Sequence, residues 1–159
     1  MPFSALFTSP VAIASFTAWF LAQLLKVPVK YLRTKEWDWA LLASAGGMPS
    51  SHSALMTAVT VSIGHYHGFD SPVFVLALAI AGVVIYDATG VRRQAGLQAK
   101  RLNLLINDLI KLKTWPHGEE LKDLREMIGH TWGEALGGVL FGLAVSIVVW
   151  LIMPVTVVP

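Results

Sequence analysis

Three stretches of the chain, residues 1–25, 40–69 and 135–159, contain no Asp, Glu, Lys or Arg. Each is longer than the roughly 20 residues that a helix needs to cross a bilayer. A fourth run, 71–86, is uncharged over 16 residues and spans fully only if Gly68, Ala88 and Thr89 extend it. With 55% hydrophobic and 14% charged residues, and a mean hydropathy of +0.61, the 159-residue chain is too apolar for an ordinary soluble domain. The expected fold is all-α: an integral membrane helical bundle of about four transmembrane helices, with a re-entrant segment and interfacial amphipathic helices, forming a single domain over 1–159. The N-terminal run lacks a basic leader and a small-residue cleavage site, so it reads as a retained helix.

All 12 Lys and Arg residues fall in two places, Lys26 to Lys35 and Arg92 to Arg125. Four crossings put both basic loops on one side. The positive-inside rule places that side in the cytoplasm. A net charge of only +2, with cations bordering membrane segments, leaves no nucleic-acid footprint. A lipid headgroup is the better partner.

Along the chain, the first helix is expected to end near Lys26, with Pro28 disturbing its last turn. Trp37 and Trp39 suit an interfacial belt, and 40–45 suits a short re-entrant helix broken at Gly46-Gly47. Ser50 or Ser51 would cap a helix from His52 to about Tyr66. Residues 97–113 read as an amphipathic interfacial helix. A second short helix is expected at 119–128, and the last membrane helix near His130.

The chemistry narrows by exclusion. The chain has no cysteine, which removes a cysteinyl-phosphate route. Asp87, before Ala88-Thr89-Gly90, lacks the second aspartate two residues on that aspartyl-phosphate phosphatases use. Histidine remains as nucleophile, because a neutral imidazole keeps a free lone pair near pH 7. His130 has Glu134 four residues on to hold one tautomer. His52, behind the turn Pro49-Ser50-Ser51, is placed to protonate a leaving oxygen. The amides around Ser50 to Ser53 would accept phosphate oxygens. Asn103, Asn107 and Asp108 offer no metal spacing, so neither metal nor cofactor is expected.

Pro49-Ser50-Ser51-His52 resembles the Pro-Ser-Gly-His motif of the type 2 phosphatidic acid phosphatase and vanadium haloperoxidase superfamily. His130 with Glu134 is similar to the His-x-x-x-Asp end of that superfamily's third motif, and Lys26 with Arg33 matches the spacing of the first, Lys-x6-Arg-Pro. Gly46-Gly47-Met48, the run from Tyr86 to Arg93, and Gly129-His130-Thr131 bring the resemblance closest to the divergent branch of small bacterial and plastid membrane proteins. The resemblance implies that His130 carries the phosphoryl group, His52 is the general acid and Glu134 orients His130. It also implies that Lys26, Arg33, Ser50 and Ser51 hold phosphate. Ser51 replaces the motif's glycine, Thr34 its proline, and Arg125 lies one residue too near His130, so Arg92 or Arg93 stands as the alternative clamp. The activity so implied is metal-independent hydrolysis of a lipid phosphate or diphosphate, such as phosphatidylglycerol phosphate or a prenyl phosphate, at a cytoplasm-facing site. Rival readings are an inactive scaffold or lipid-binding protein and a small transporter.

Overall fold

A computed structural model describes residues 4–44, 46–112, 124 and 129–154. The elements are α1 (Ala5–Thr8), α2 (Pro10–Thr34), a 3-10 turn (Trp39–Ala43), α3 (Ser51–His67), α4 (Pro72–Thr89), α5 (Val91–Lys111) and α6 (Trp132–Ile152). The fold is all-helical, and no strand occurs among the described residues. Among the described residues, three helical stretches are long and apolar enough to cross a membrane: α2, the continuous stretch made by α4 and α5, and α6. Helix α3, with 17 residues and thus about 26 Å long, packs against α2, α4 and α6 and is the centre of the bundle.

Side-chain size, more than polarity, decides which faces meet. Ala14, Ala18 and Ala22 repeat every fourth residue on α2, Ala54, Ala58 and Ser62 on α3, and Gly138, Gly142 and Ser146 on α6; all are buried. Residues four apart share a helix face, so each helix presents one flat strip. Ala18, Ala22, Ala54 and Ala58 form the tightest cluster, with Phe141 and Val145 packed on it. Lipid tails give helices no hydrophobic reason to associate, and close backbone approach supplies dispersion contacts instead. A Cβ at Gly138 would collide with the Ser50 carbonyl, and one at Gly142 with that of Ala54. Large apolar side chains such as Phe16, Phe20, Leu76, Val83 and Leu151 point outward, the surface that hydrocarbon solvates.

Direction follows from the contacts at the two poles. The Ser50 N–H donates to the Glu134 carbonyl, which joins the starts of α3 and α6, and the Tyr66 hydroxyl reaches the Met153 carbonyl at their ends. Helices α3 and α6 therefore run parallel. At the first pole lie the C-terminal part of α2 and the end of α4, where the His130 N–H donates to the Ala88 carbonyl at 2.9 Å. Lys26, Lys30 and Arg33 of α2 and Arg92 at the start of α5 lie at that pole.

Several boundaries differ from expectation. Helix α2 runs through Pro28 to Thr34. A proline there forfeits one backbone bond, a loss that membrane helices tolerate, and the burial of Lys26 and Val27 holds the helix in place. The expected re-entrant helix is a five-residue 3-10 turn, tied to α2 by the Gln23 side-chain amide, which donates to the carbonyls of Leu41, Leu42 and Ser44. Helix α4 extends to Thr89, while Gly68 instead ends α3. Helix α5 begins at Val91, because only Gly90 separates it from α4. Helix α6 begins at Trp132, two residues after His130. The expected helix at 119–128 lies outside the described residues apart from Leu124, as does Arg125. The Leu124 backbone is gripped at both ends by the Asn103 side chain, at 2.9 and 3.0 Å.

Candidate functional site

The two histidines and the glutamate come together where α3, α4 and α6 meet. His130 is 2% exposed and precedes α6, whose N-cap is Thr131. Its backbone is fixed from two sides. Its N–H bonds Ala88, and Gly129 before it has φ +89, with backbone atoms of Arg92 and Arg93 where a Cβ would stand. Only glycine fits that turn.

Glu134 does two things at once. With Thr131 it forms a reciprocal capping box: the Thr131 N–H donates to Glu134 Oε2 at 2.8 Å, and the Glu134 N–H to Thr131 Oγ1 at 3.3 Å. The same Oε2 lies 3.6 Å from His130 Nδ1, an ion-pair separation slightly beyond a hydrogen bond. His130 thus faces Glu134 from the turn before the helix, not from within it. Both ring nitrogens of His130 are buried and neither has a hydrogen-bond partner, although Nδ1 is the one that faces Glu134.

Beside His130 opens a cleft of about 180 Å³, lined by His52, Asp87, Arg92, Gly129 and apolar residues of α4. Arg92 Nε meets Asp87 Oδ2 at 2.6 Å, so the arginine that faces His130 among the described residues is held by a carboxylate across the Gly90 bend. Arg93 presents its backbone to Gly129 and does not line the cleft. A second cleft of about 160 Å³ lies on the α2 side, lined by Lys26, Lys30, Arg33, Gly47, Met48 and Glu134 among others. Glu134 thus stands between Lys26 and His130.

The serines of the α3 turn face inward. Ser50 is fully buried, its Oγ accepting from the Ser53 N–H and the Ser53 hydroxyl. Ser51 is buried with an unpartnered hydroxyl. Neither side chain lines either cleft: Ser50 is consumed in capping α3 and sits where α3 and α6 touch. Lys26 is 1% exposed and gives one hydrogen bond to the Ser44 carbonyl at 2.9 Å, while the Arg33 guanidinium reaches the Met48 sulfur. Lys30 and Asp87, which the motifs do not assign to phosphate, are also cleft residues. The i, i+4, i+7 spacing of Lys26, Lys30 and Arg33 was the signal for the first. Among the described residues no group of three or more His, Asp or Glu side chains gathers as a metal site would require.

A membrane bundle with a buried, carboxylate-backed histidine and two cation-lined clefts at one pole is thus defined. The chain belongs to the Divergent PAP2 family, whose model matches residues 7–145. It is 38% identical over 150 residues, 90% of this chain and 95% of the relative, to the uncharacterized membrane protein YuiD of Bacillus subtilis (strain 168). No solved structure matches the chain.

Proposed function

We propose that the protein is a lipid phosphate phosphatase that works through a phosphohistidine at His130. The observation that carries the reading is the His130 imidazole: Nδ1 faces Glu134, while Nε2 is buried, unpartnered and beside the cleft shared with His52 and Arg92. With its proton on Nδ1, directed at Glu134, His130 has its lone pair on Nε2. Attack of Nε2 on phosphorus forms the N–P bond as the ester P–O bond breaks, and protonated His52 gives its proton to the departing oxygen. Water then attacks the phosphohistidine. Neutral His52 takes that proton, and release of inorganic phosphate restores His130, so one water is consumed per turnover. Arg92, held at Nε, has both terminal nitrogens left to neutralise the phosphoryl oxygens. No step draws on a metal.

Lys26, Lys30, Arg33 and Arg92 lie at the same pole as the site, and the positive-inside rule turns that pole to the cytoplasm. The substrate is then a lipid of the inner leaflet. Purified protein in detergent should release inorganic phosphate from a lipid phosphate in the presence of EDTA, and vanadate should inhibit. His130→Ala should abolish turnover. His52→Ala should lose about 10²–10⁴-fold on an alkyl phosphate and much less on an aryl phosphate, whose leaving group needs no proton. Absence of phosphate release across a panel of lipid phosphates, or EDTA loss restored by Mg²⁺, overturns the reading; the former result would leave a lipid-binding protein.

A further inference from the structure

Helix α5 stands apart from the bundle. Among the described helices it touches only α4, and a single residue, Gly90, joins the two. Helix α4 has 18 residues and so rises about 27 Å, close to the roughly 30 Å of hydrocarbon in a bilayer. Helix α5 therefore starts at headgroup level, on the pole that holds the His130 cleft. It carries the cations Arg92, Arg93, Lys100, Arg101 and Lys111 against one carboxylate, Asp108, a composition that hydrocarbon rejects. Its surface divides three ways. Gly96, Ala99 and Asn103 are buried, and Asn103 clasps the Leu124 backbone. Val91, Ala95, Leu102 and Leu105 share a second face, because they follow at steps of four, seven and three residues, and all four are exposed. Arg93 and Lys100 lie on the opposite side, with Arg101 on a flank. Asp87 matches Arg92, and Lys111 approaches Asp108 at 4.0 Å, but Arg93, Lys100 and Arg101 form no ion pair among the described residues.

We propose that α5 is a docking surface for anionic phospholipids of the leaflet at that pole, lipids that are bound and not turned over. Projecting into water, α5 would leave Leu102 and Leu105 wetted; sunk in hydrocarbon, it would strand its cations. Lying in the interfacial plane satisfies both faces. Hydrocarbon alone answers the leucines, but cations left without carboxylates select headgroups of net negative charge over zwitterionic ones. Lys100 and Arg101 supply that selectivity, while Leu102 and Leu105 enter the acyl boundary. The surface rests on the helix and its charges and is independent of the chemistry at His130.

The test places the full-length protein in nanodiscs of phosphatidylcholine, alone or with phosphatidylglycerol or phosphatidylserine. An environment-sensitive fluorophore is carried on Leu105→Cys, the single cysteine in an otherwise cysteine-free chain. Either anionic lipid should shift emission to the blue as the label enters the acyl boundary, and high salt should weaken the shift by screening. One basic residue near an anionic surface is worth about fivefold in partitioning, so Lys100→Gln with Arg101→Gln should lower the docked-to-undocked ratio on the order of 20-fold. Lys100→Arg with Arg101→Lys keeps the charge and should dock as the parent does. Equal emission with and without anionic lipid overturns the proposal, since hydrocarbon or a protein partner would then cover the leucine face. A shift that survives both Gln substitutions, or one lost equally in the charge-keeping variant, overturns it as well.

Discussion

Replacing Gly142 by alanine tests whether backbone contact between α3 and α6 holds the bundle. The added Cβ would lie 3.0 Å from both the carbonyl carbon and the Cα of Ala54, and closer still to its oxygen. Carbon pairs are most favourable near 3.5–4.0 Å, so α6 must withdraw by about 0.5 Å or more, because backbone atoms cannot rotate aside as a side chain does. Overpacking of this kind costs about 1–3 kcal/mol, or roughly 2–12 °C in melting temperature at 2–4 °C per kcal/mol for a chain this size. Gly82 is the internal control: nothing lies within 4 Å of its would-be Cβ, and alanine is the better helix former by up to about 1 kcal/mol. Thermal unfolding in one detergent should therefore give Gly82→Ala a melting point at or above wild type and Gly142→Ala one clearly below. If Gly142→Ala melts with Gly82→Ala, α3 and α6 do not meet as described and the small-residue argument fails.

The two roles of Glu134 are separable. Gln preserves a capping box, so Glu134→Gln should melt within about 0.5 kcal/mol of wild type yet lose roughly 100-fold or more in phosphate release, whereas Glu134→Ala should lose activity and also about 1 kcal/mol of stability; full activity in Glu134→Gln would reduce the residue to a cap. Orientation is read by single cysteines in this cysteine-free chain: in intact cells an impermeant thiol reagent should label Asp70→Cys and spare Glu36→Cys, and the reverse pattern would turn the site outward.

The membrane helices were legible because charge is excluded from hydrocarbon, although the run 40–69 holds both the 3-10 turn and α3, and α2 continues past its charge-free run to Thr34. Which face of each helix turns inward was not. In water an amphipathic stripe points to the core, but here both lipid and neighbouring helix are apolar, and α3 shows almost no polarity contrast between its faces. Size carries the information instead: the four-residue repeats of alanine, glycine and serine on α2, α3 and α6 are visible in the sequence but were not read as packing strips. The pairing of His130 with Glu134 was legible from spacing, and its geometry was not. Thr131-x-x-Glu134 is a capping-box signature, and it puts the start of α6 after the histidine. The family resemblance implies phosphate contacts for Ser50 and Ser51, and a helix start favours anions. Ser50 lies where α6 crosses that turn, a long-range contact that local pattern does not encode.

That crossing also explains why site and bundle cannot be adjusted independently. The Glu134 carbonyl accepts from the Ser50 N–H, its carboxylate faces His130, and one turn further along α6 Gly138 leaves room for the Ser50 carbonyl. His130 in turn is anchored to the end of α4 through Ala88, and Gly129 passes against the first residues of α5. The imidazole is therefore located by three helix ends, and the small residues that let α3 and α6 touch also set the height of Glu134 relative to His52. A shift of α6 along α3 would move the carboxylate and the imidazole together while leaving His52 behind.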